Sequence, residues 1–252
     1  MSSCKIFVMP IFRNIIYLLS AICLISCAVA DAFPDQDTIY DNNITMGNFA
    51  DGIFITDQGL RFNILSNDSG AEIDTVKRAM ISCDIVSQVK EDTYNVVMRD
   101  FERIFTKLPV DSTAVTDDDI MVENPLHLGE IWYSGGYLNM LISIPVKENS
   151  SQVHLINLVR NDEKATSGVY EFTFKHNAFG ETISENDIDF SQANTYVSFP
   201  LAQLFKEDEK TVQIIINWTS NVETDGVLGC ATQRNKTTLD IERTGYEHKH
   251  WE

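Results

Sequence analysis

The sequence predicts an all-β chain folded as two units, and three observations carry that expectation. From residue 43 onward apolar and polar residues alternate in short runs, the pattern of strands with one face buried. Helical periodicity is scarce after the first 26 residues. A Gly135-Gly136 pair separates LGEIWYS from YLNMLISIPV, and two residues free to take positive φ between two strand patterns mark a tight hairpin. The fold class that follows is an N-terminal OB-like barrel and then an antiparallel immunoglobulin-like β-sandwich.

Residues 1–26 have the grammar of an export signal. Lys5 and Arg13 supply a positive start, Ile15 to Ile25 is apolar, and no acidic residue occurs before Asp31. The apolar run is too short to span a bilayer comfortably. Leu24-Ile25-Ser26-Cys27 resembles the bacterial lipobox, which implies cleavage before Cys27 and acylation of that cysteine. Multiple acyl chains hold a soluble domain on a membrane at about 0.8 kcal/mol per buried CH₂. An ordinary cleaved signal ending near Ala28 or Ala30 is the alternative, and Cys23 is a weaker acylation site because it follows Ile22. The expected location is the cell envelope, as an outer-membrane lipoprotein facing the periplasm or the exterior.

Residues 27–42 then form a tether, leaving one large or two small domains. Loss of Lys5 and Arg13 takes the formal charge from −18 to −20. So acidic a chain repels phosphate backbones, which argues against a nucleic-acid partner. Besides Cys27, the mature chain holds Cys83 and Cys230 alone, so no disulfide framework is expected. Cys83, in the apolar row of MISCDIV, reads as a buried free thiol.

The barrel unit is expected over 43–111. Its strands are NITMGNFAD, GIFIT, LRFNIL after a turn closed by Gly59, KRAMISCDIVSQ, and DTYNVVMRD running into FERIFTKL. Ala79, Ile81, Cys83 and Ile85 fall on one face. Residues 112–125, acidic at Asp117-Asp118-Asp119 and closed by Pro125, read as a linker. The sandwich is expected over 126–245, with a tail at 246–252. In it Tyr170, Phe172 and Phe174 alternate with Glu171, Thr173 and Lys175, and Val212, Ile214, Ile216 and Trp218 alternate with Thr211, Gln213, Ile215 and Asn217.

Trp132, Tyr133 and Tyr137 crowd around the Gly-Gly turn. Alternation favours core packing for this hairpin, with at least one of Trp132 and Tyr133 buried. A ligand-stacking platform built from the three rings is the alternative. His154 and His176 lie in strand patterns without H-x-x-x-H or C-x-x-C spacing, so no metal is expected. No nucleophile elbow, Walker loop or dinucleotide fingerprint occurs, and neither a cofactor nor an enzymatic activity is expected.

The segments EIWYSGGYLNMLISIPV, HLINLVRND, YEFTFKHNAFGE and YVSFPLAQL, in that order, resemble the C-terminal domain of NigD-like lipoproteins. Trp132, Gly135, Gly136, Tyr137, Leu138 and Asn139 match that family's hairpin. His176, Asn177, Ala178 and Gly180 match its H-N-A-x-G segment, and Val197, Ser198 and Phe199 its V-S-F strand. TYNVVMRDFERIFTKLP (93–109) is similar to the family's OB-like part. The resemblance implies an envelope lipoprotein of Bacteroidota-type bacteria, built from an OB-like barrel and a sandwich, with no transferable activity or catalytic residue. The role expected for the chain is binding: a protein or peptide ligand, bacteriocin-related if the family's naming gene cluster is the guide, or else a glycan.

Overall fold

The structure, a computed structural model, describes residues 40–73, 75–161, 167–183, 190–224 and 227–243. The signal segment and Cys27, the C-terminal residues from 244, and the side chain of Cys230 lie outside what it describes.

The first unit is a closed barrel of five strands, β1 (Tyr40–Ala50), β2 (Ile53–Thr56), β3 (Arg61–Asn67), β4 (Arg78–Lys90) and β5 (Thr93–Arg103), ordered β1-β2-β3-β5-β4. The β3–β5 ladder is parallel and the other four are antiparallel. Closure removes the free edges that a small sheet would otherwise expose. Alternation decides what fills it: Ala79, Ile81, Cys83 and Ile85 point inward as expected, against Phe54, Phe62, Val96 and Met98. Cys83 is a buried free thiol, and burial pushes its pKa up to about 12. It is an apolar filler and not a nucleophile.

The second unit is a sandwich of two sheets. One runs β14 (Val227–Glu242), β13 (Thr211–Thr224), β11 (Val169–Asn177), β10 (Leu155–Arg160), β7 (Val110–Asp111). The other runs β6 (Phe105–Thr106), β12 (Phe190–Pro200), β9 (Tyr137–Lys147), β8 (His127–Ser134). Leu138, Met140 and Ile142 of β9 meet Phe172 and Phe174 of β11 and Ile214 and Ile216 of β13 between the sheets, nearly all without solvent exposure. Each such side chain contributes about 1.5–3 kcal/mol by burial.

Two features differ from the sequence expectation. The sandwich is mixed, because β11–β13, β6–β12 and β7–β10 pair in parallel. Its sheets also reach back past the expected boundary at 111. Phe105–Thr106 and Val110–Asp111, placed with the barrel by the sequence, each add two residues to a sandwich sheet. Pairs so short leave no alternation to read. Residues 112–125, expected as a linker, are strapped to the sandwich. Asn124 N–H donates to the His176 carbonyl (2.8 Å), and Ala178 N–H donates to Asn124 Oδ1 (2.8 Å). Asn177 Nδ2 donates to Asp119 Oδ1 (3.1 Å).

Candidate functional site at the joint of barrel and sandwich

Gly135 and Gly136 have φ of 56° and 87°, and Ser134 pairs with Tyr137 across them. Positive φ at both central residues makes this a two-residue turn of the I′ kind, whose twist suits the flanking strands. The tip does not stand in solvent. A Cβ built on Gly135 would lie 2.5 Å from Asp57 Oδ1 in the β2–β3 turn of the barrel. Glycine is therefore required twice, by the backbone angle and by the approach of the other unit.

Around that contact lies a buried polar cluster centred on Arg78, the first residue of β4, which is 1% exposed. Its Nη1 and Nη2 donate to the two carboxylate oxygens of Asp57, both at 2.8 Å. Nη2 also donates to Asn139 Oδ1 of β9 (2.8 Å), and Nε donates to Ser198 Oγ of β12 (3.0 Å). The guanidinium carbon sits 3.8 Å from the centre of the Tyr137 ring, a cation–π contact in a desolvated setting. Tyr137 Oη donates to Asn48 Oδ1 of β1 (3.0 Å). Ser134 Oγ donates to Asp57 Oδ2 (2.5 Å) and accepts from Asn139 Nδ2 (3.0 Å). Asn48 Nδ2 at the edge of the cluster is buried without a partner, while residues from both units satisfy the polar atoms of Arg78 and Asp57. A lone buried guanidinium costs several kcal/mol, and only such complete pairing makes it tolerable.

The three aromatic candidates do not share a face. Tyr137 is 1% exposed, locked in the joint. Tyr133 packs toward the sandwich core, its ring 5.8 Å from that of Phe205. Trp132 points to the opposite side, partly buried, and meets Tyr196 of β12 edge to face at 6.2 Å. Burial, then the carboxylates of Glu102 and Glu130, raises the Tyr196 pKa above the ordinary tyrosine value. Glu102 belongs to β5 of the barrel, so this aromatic pair lies on the sandwich face beside the barrel. Tyr196 was not singled out by the sequence. Its only signal was its place in the YVSF strand, since the register that pairs it with Leu141 is not legible locally.

The second polar cluster lies at one end of β10 and β11. His154 Nδ1 and His176 Nε2 are 2.9 Å apart, and His154 Nε2 is 3.3 Å from Glu181 Oε2. With both rings neutral, His176 Nε2–H donates to His154, and His154 Nε2–H donates to Glu181. Ser150 Oγ donates to the other Glu181 oxygen. Burial, then the neighbouring His154, lowers the His176 pKa to about 4, against smaller opposing contributions from the backbone of Asn124 and Pro125. The facing nitrogens are occupied by their own hydrogen bond. Among the described residues no group of three or more His, Cys, Asp or Glu is arranged to hold a metal ion.

No helix of the described residues is long and apolar enough to cross a membrane. Among solved structures, the fold is similar to a NigD-like immunity protein from Bacteroides caccae, with a TM-score of 0.58 at 18% identity over 84% of this chain and 100% of that one. It is similar to a protein of unknown function from Bacteroides vulgatus, with a TM-score of 0.56 at 17% identity over 85% and 96%. A candidate lipoprotein from Bacteroides fragilis gives a TM-score of 0.55 at 12% identity over 81% and 100%. No curated protein matches the chain. Residues 107–227 match the family model of the NigD-like C-terminal beta sandwich domain, a span that opens just after β6 and takes in the Gly-Gly hairpin, the H-N-A-x-G segment and the V-S-F strand. Over that span the chain carries the NigD-like C-terminal beta sandwich domain.

Proposed function

We propose that this chain is an envelope-anchored, non-catalytic binding module, tethered through acyl groups on Cys27 and recognising a protein or peptide partner. The observation that carries the reading is the Trp132–Tyr196 pair flanked by Glu102 and Glu130. Aromatic rings at partial exposure beside carboxylates suit a segment with apolar and basic side chains. The Arg78 joint supports the same reading, because it fixes the barrel against this face and so preorganises it. A similar structure is described as an immunity protein, which makes a toxin-like polypeptide the first class of partner to try. The outer membrane is the proposed site of anchoring, supported by the Leu24-Ile25-Ser26-Cys27 sequence and by a similar structure described as a candidate lipoprotein.

The test has two arms. Intact mass of the mature protein should show lipid on Cys27, and Cys27→Ala should release the protein from detergent-extractable membranes; an unmodified chain beginning at Ala28 or later defeats the anchor. For binding, wild type, Trp132→Ala and Tyr196→Ala are compared against basic and toxin-like polypeptides encoded near the gene. Retention lost in both variants, with melting cooperative, supports the face. Binding that survives both substitutions overturns it. Retention of a glycan in place of a polypeptide would favour the glycan-accessory alternative.

A further inference from the structure

β14 closes its sheet with nothing on its outer side among the described residues; β13 is the one strand it pairs with. Over Thr232–Glu242 the ladder runs without a shift, the one irregularity falling further out at Asn221/Glu223. The strand carries no proline. An edge of this length and regularity is a template for another strand, unless charge turns partners away.

The charges on β14 are ordered. Arg234, Lys236, Thr238, Asp240 and Glu242 alternate along one face, and all five are exposed. Read outward from Thr238, positive charge stands at two and four residues on one side, and negative charge at the same steps on the other. On the same face β13 offers Thr219, Asn217, Ile215, Gln213 and Thr211 opposite them, none of them charged. Within the chain the commitments of the four are slight. Arg234, 85% exposed, reaches Glu123 at 3.5 Å, and Asp240 accepts from Gln213 Nε2.

We propose that β14 pairs antiparallel with β14 of a second copy, with the two-fold axis through Thr238. In that register Arg234 faces Glu242 of the other copy and Lys236 faces Asp240, giving four attractive cross-strand pairs per dimer. A shift of two residues to either side keeps two of these four attractive pairs, Arg234 with Asp240 or Lys236 with Glu242, so the charges favour the register centred on Thr238. Most of this acidic surface repels a second copy, whereas this strip is neutral and self-complementary. Association is therefore weak and sensitive to ionic strength.

The test uses the full chain in detergent, in a Cys230→Ser background, with cysteine introduced at one β14 position at a time. Thr238→Cys residues would face each other at about 4.5–5.5 Å between Cα atoms, within disulfide reach. Thr232→Cys residues would stand about 40 Å apart along the pair. Mild oxidation should give a covalent dimer at 238 and none at 232, and the 238 product should fall in high salt. Arg234→Glu/Lys236→Glu, and separately Asp240→Lys/Glu242→Lys, should each lose the Thr238→Cys crosslink. An equal mixture of the two variants should restore it as a heterodimer, which shows that both are folded. Absence of the 238 crosslink in the parent, equal crosslinking at 232 and 238, or no recovery on mixing would each overturn the proposal.

Discussion

The joint at Arg78 and the histidine pair at the end of β10 and β11 are both buried polar clusters, and they meet the cost of burial in opposite ways. Arg78 keeps its charge and is surrounded, with a bidentate carboxylate, two further acceptors and an aromatic face. His176 gives up its charge, with a pKa lowered to about 4 by burial and by His154. One cluster is stable only while its partners are present. The other is stable only while the proton stays away. The first is therefore vulnerable to mutation and the second to acid.

The largest expected effect comes from breaking the joint. Arg78→Met fills similar volume but leaves the Asp57 carboxylate buried without its counter-ion, and should cost about 3–5 kcal/mol in denaturant unfolding. Adding Asp57→Leu removes the orphaned charge, so the double variant should recover much of that loss. If the double variant is as unstable as the sum of the two singles, the pair is not coupled and the joint has been misread.

Acid should find the histidines next. His176 has a folded pKa below its ordinary 6.5, so between pH 6.5 and about 4 the unfolded chain takes up a proton that the folded chain refuses. Stability is full above that window and falls as pH drops through it, by about 3 kcal/mol for a shift of this size. Glu181, its pKa lowered chiefly by the Ser150 hydroxyl, adds to the loss in the same direction at lower pH. His176→Gln should flatten the limb between pH 6.5 and 4 while sparing the part that belongs to Glu181. An unchanged slope in the variant would assign the acid sensitivity elsewhere.

The fold class was legible because period-two alternation reports one buried face, and that held for the Ala79–Ile85 row and for Val212–Ile216. The turn was legible because two adjacent glycines have few other uses. The joint was not. Ser134, Asn139 and Ser198 alternate with apolar residues just as solvent-facing residues do, and alternation cannot tell water from a polar partner on another domain. Asp57 reads locally as a turn residue, and Arg78 as the charged start of a strand. Only the closure of the barrel and the pairing of β9 with β12 bring Asp57, Arg78, Asn139 and Ser198 together. The histidine pair was hidden for the same reason, because His154 and His176 meet through strand pairing that no short motif encodes.

Glycine substitutions separate local strain from docking. Gly180, beside the histidines, has φ of 93° and open space where a Cβ would sit, whereas a Cβ on Gly135 would meet the Asp57 carboxylate. Alanine at either position incurs the positive-φ penalty, about 1–3 kcal/mol. Gly135→Ala should cost more than Gly180→Ala, since it must also push Asp57 off Arg78. Equal losses in paired melts would mean the hairpin tip is not pressed on the barrel.

The smallest effect belongs to Arg99, which sets the scale for the others. It contacts Asp68 and Asp84 on the barrel surface, with its own side chain 49% exposed and those of its partners 43% and 15% exposed. By charge alone this site should exceed that of Arg78, with two carboxylates where Arg78 has one. Water differs: at Arg99 it solvates the charges before and after folding, so the gain from pairing is mostly cancelled by hydration and by the entropy of holding long side chains. Arg99→Ala should therefore move the unfolding midpoint least of all these variants, and the small shift should disappear in about 1 M salt, where screening acts over only a few ångströms. Arg78→Met should keep its full penalty in the same salt, because screening ions do not enter the joint. If Arg99→Ala proved as damaging as Arg78→Met, burial would not be what distinguishes the two arginines. If both penalties faded with salt, the joint would have to be open to solvent.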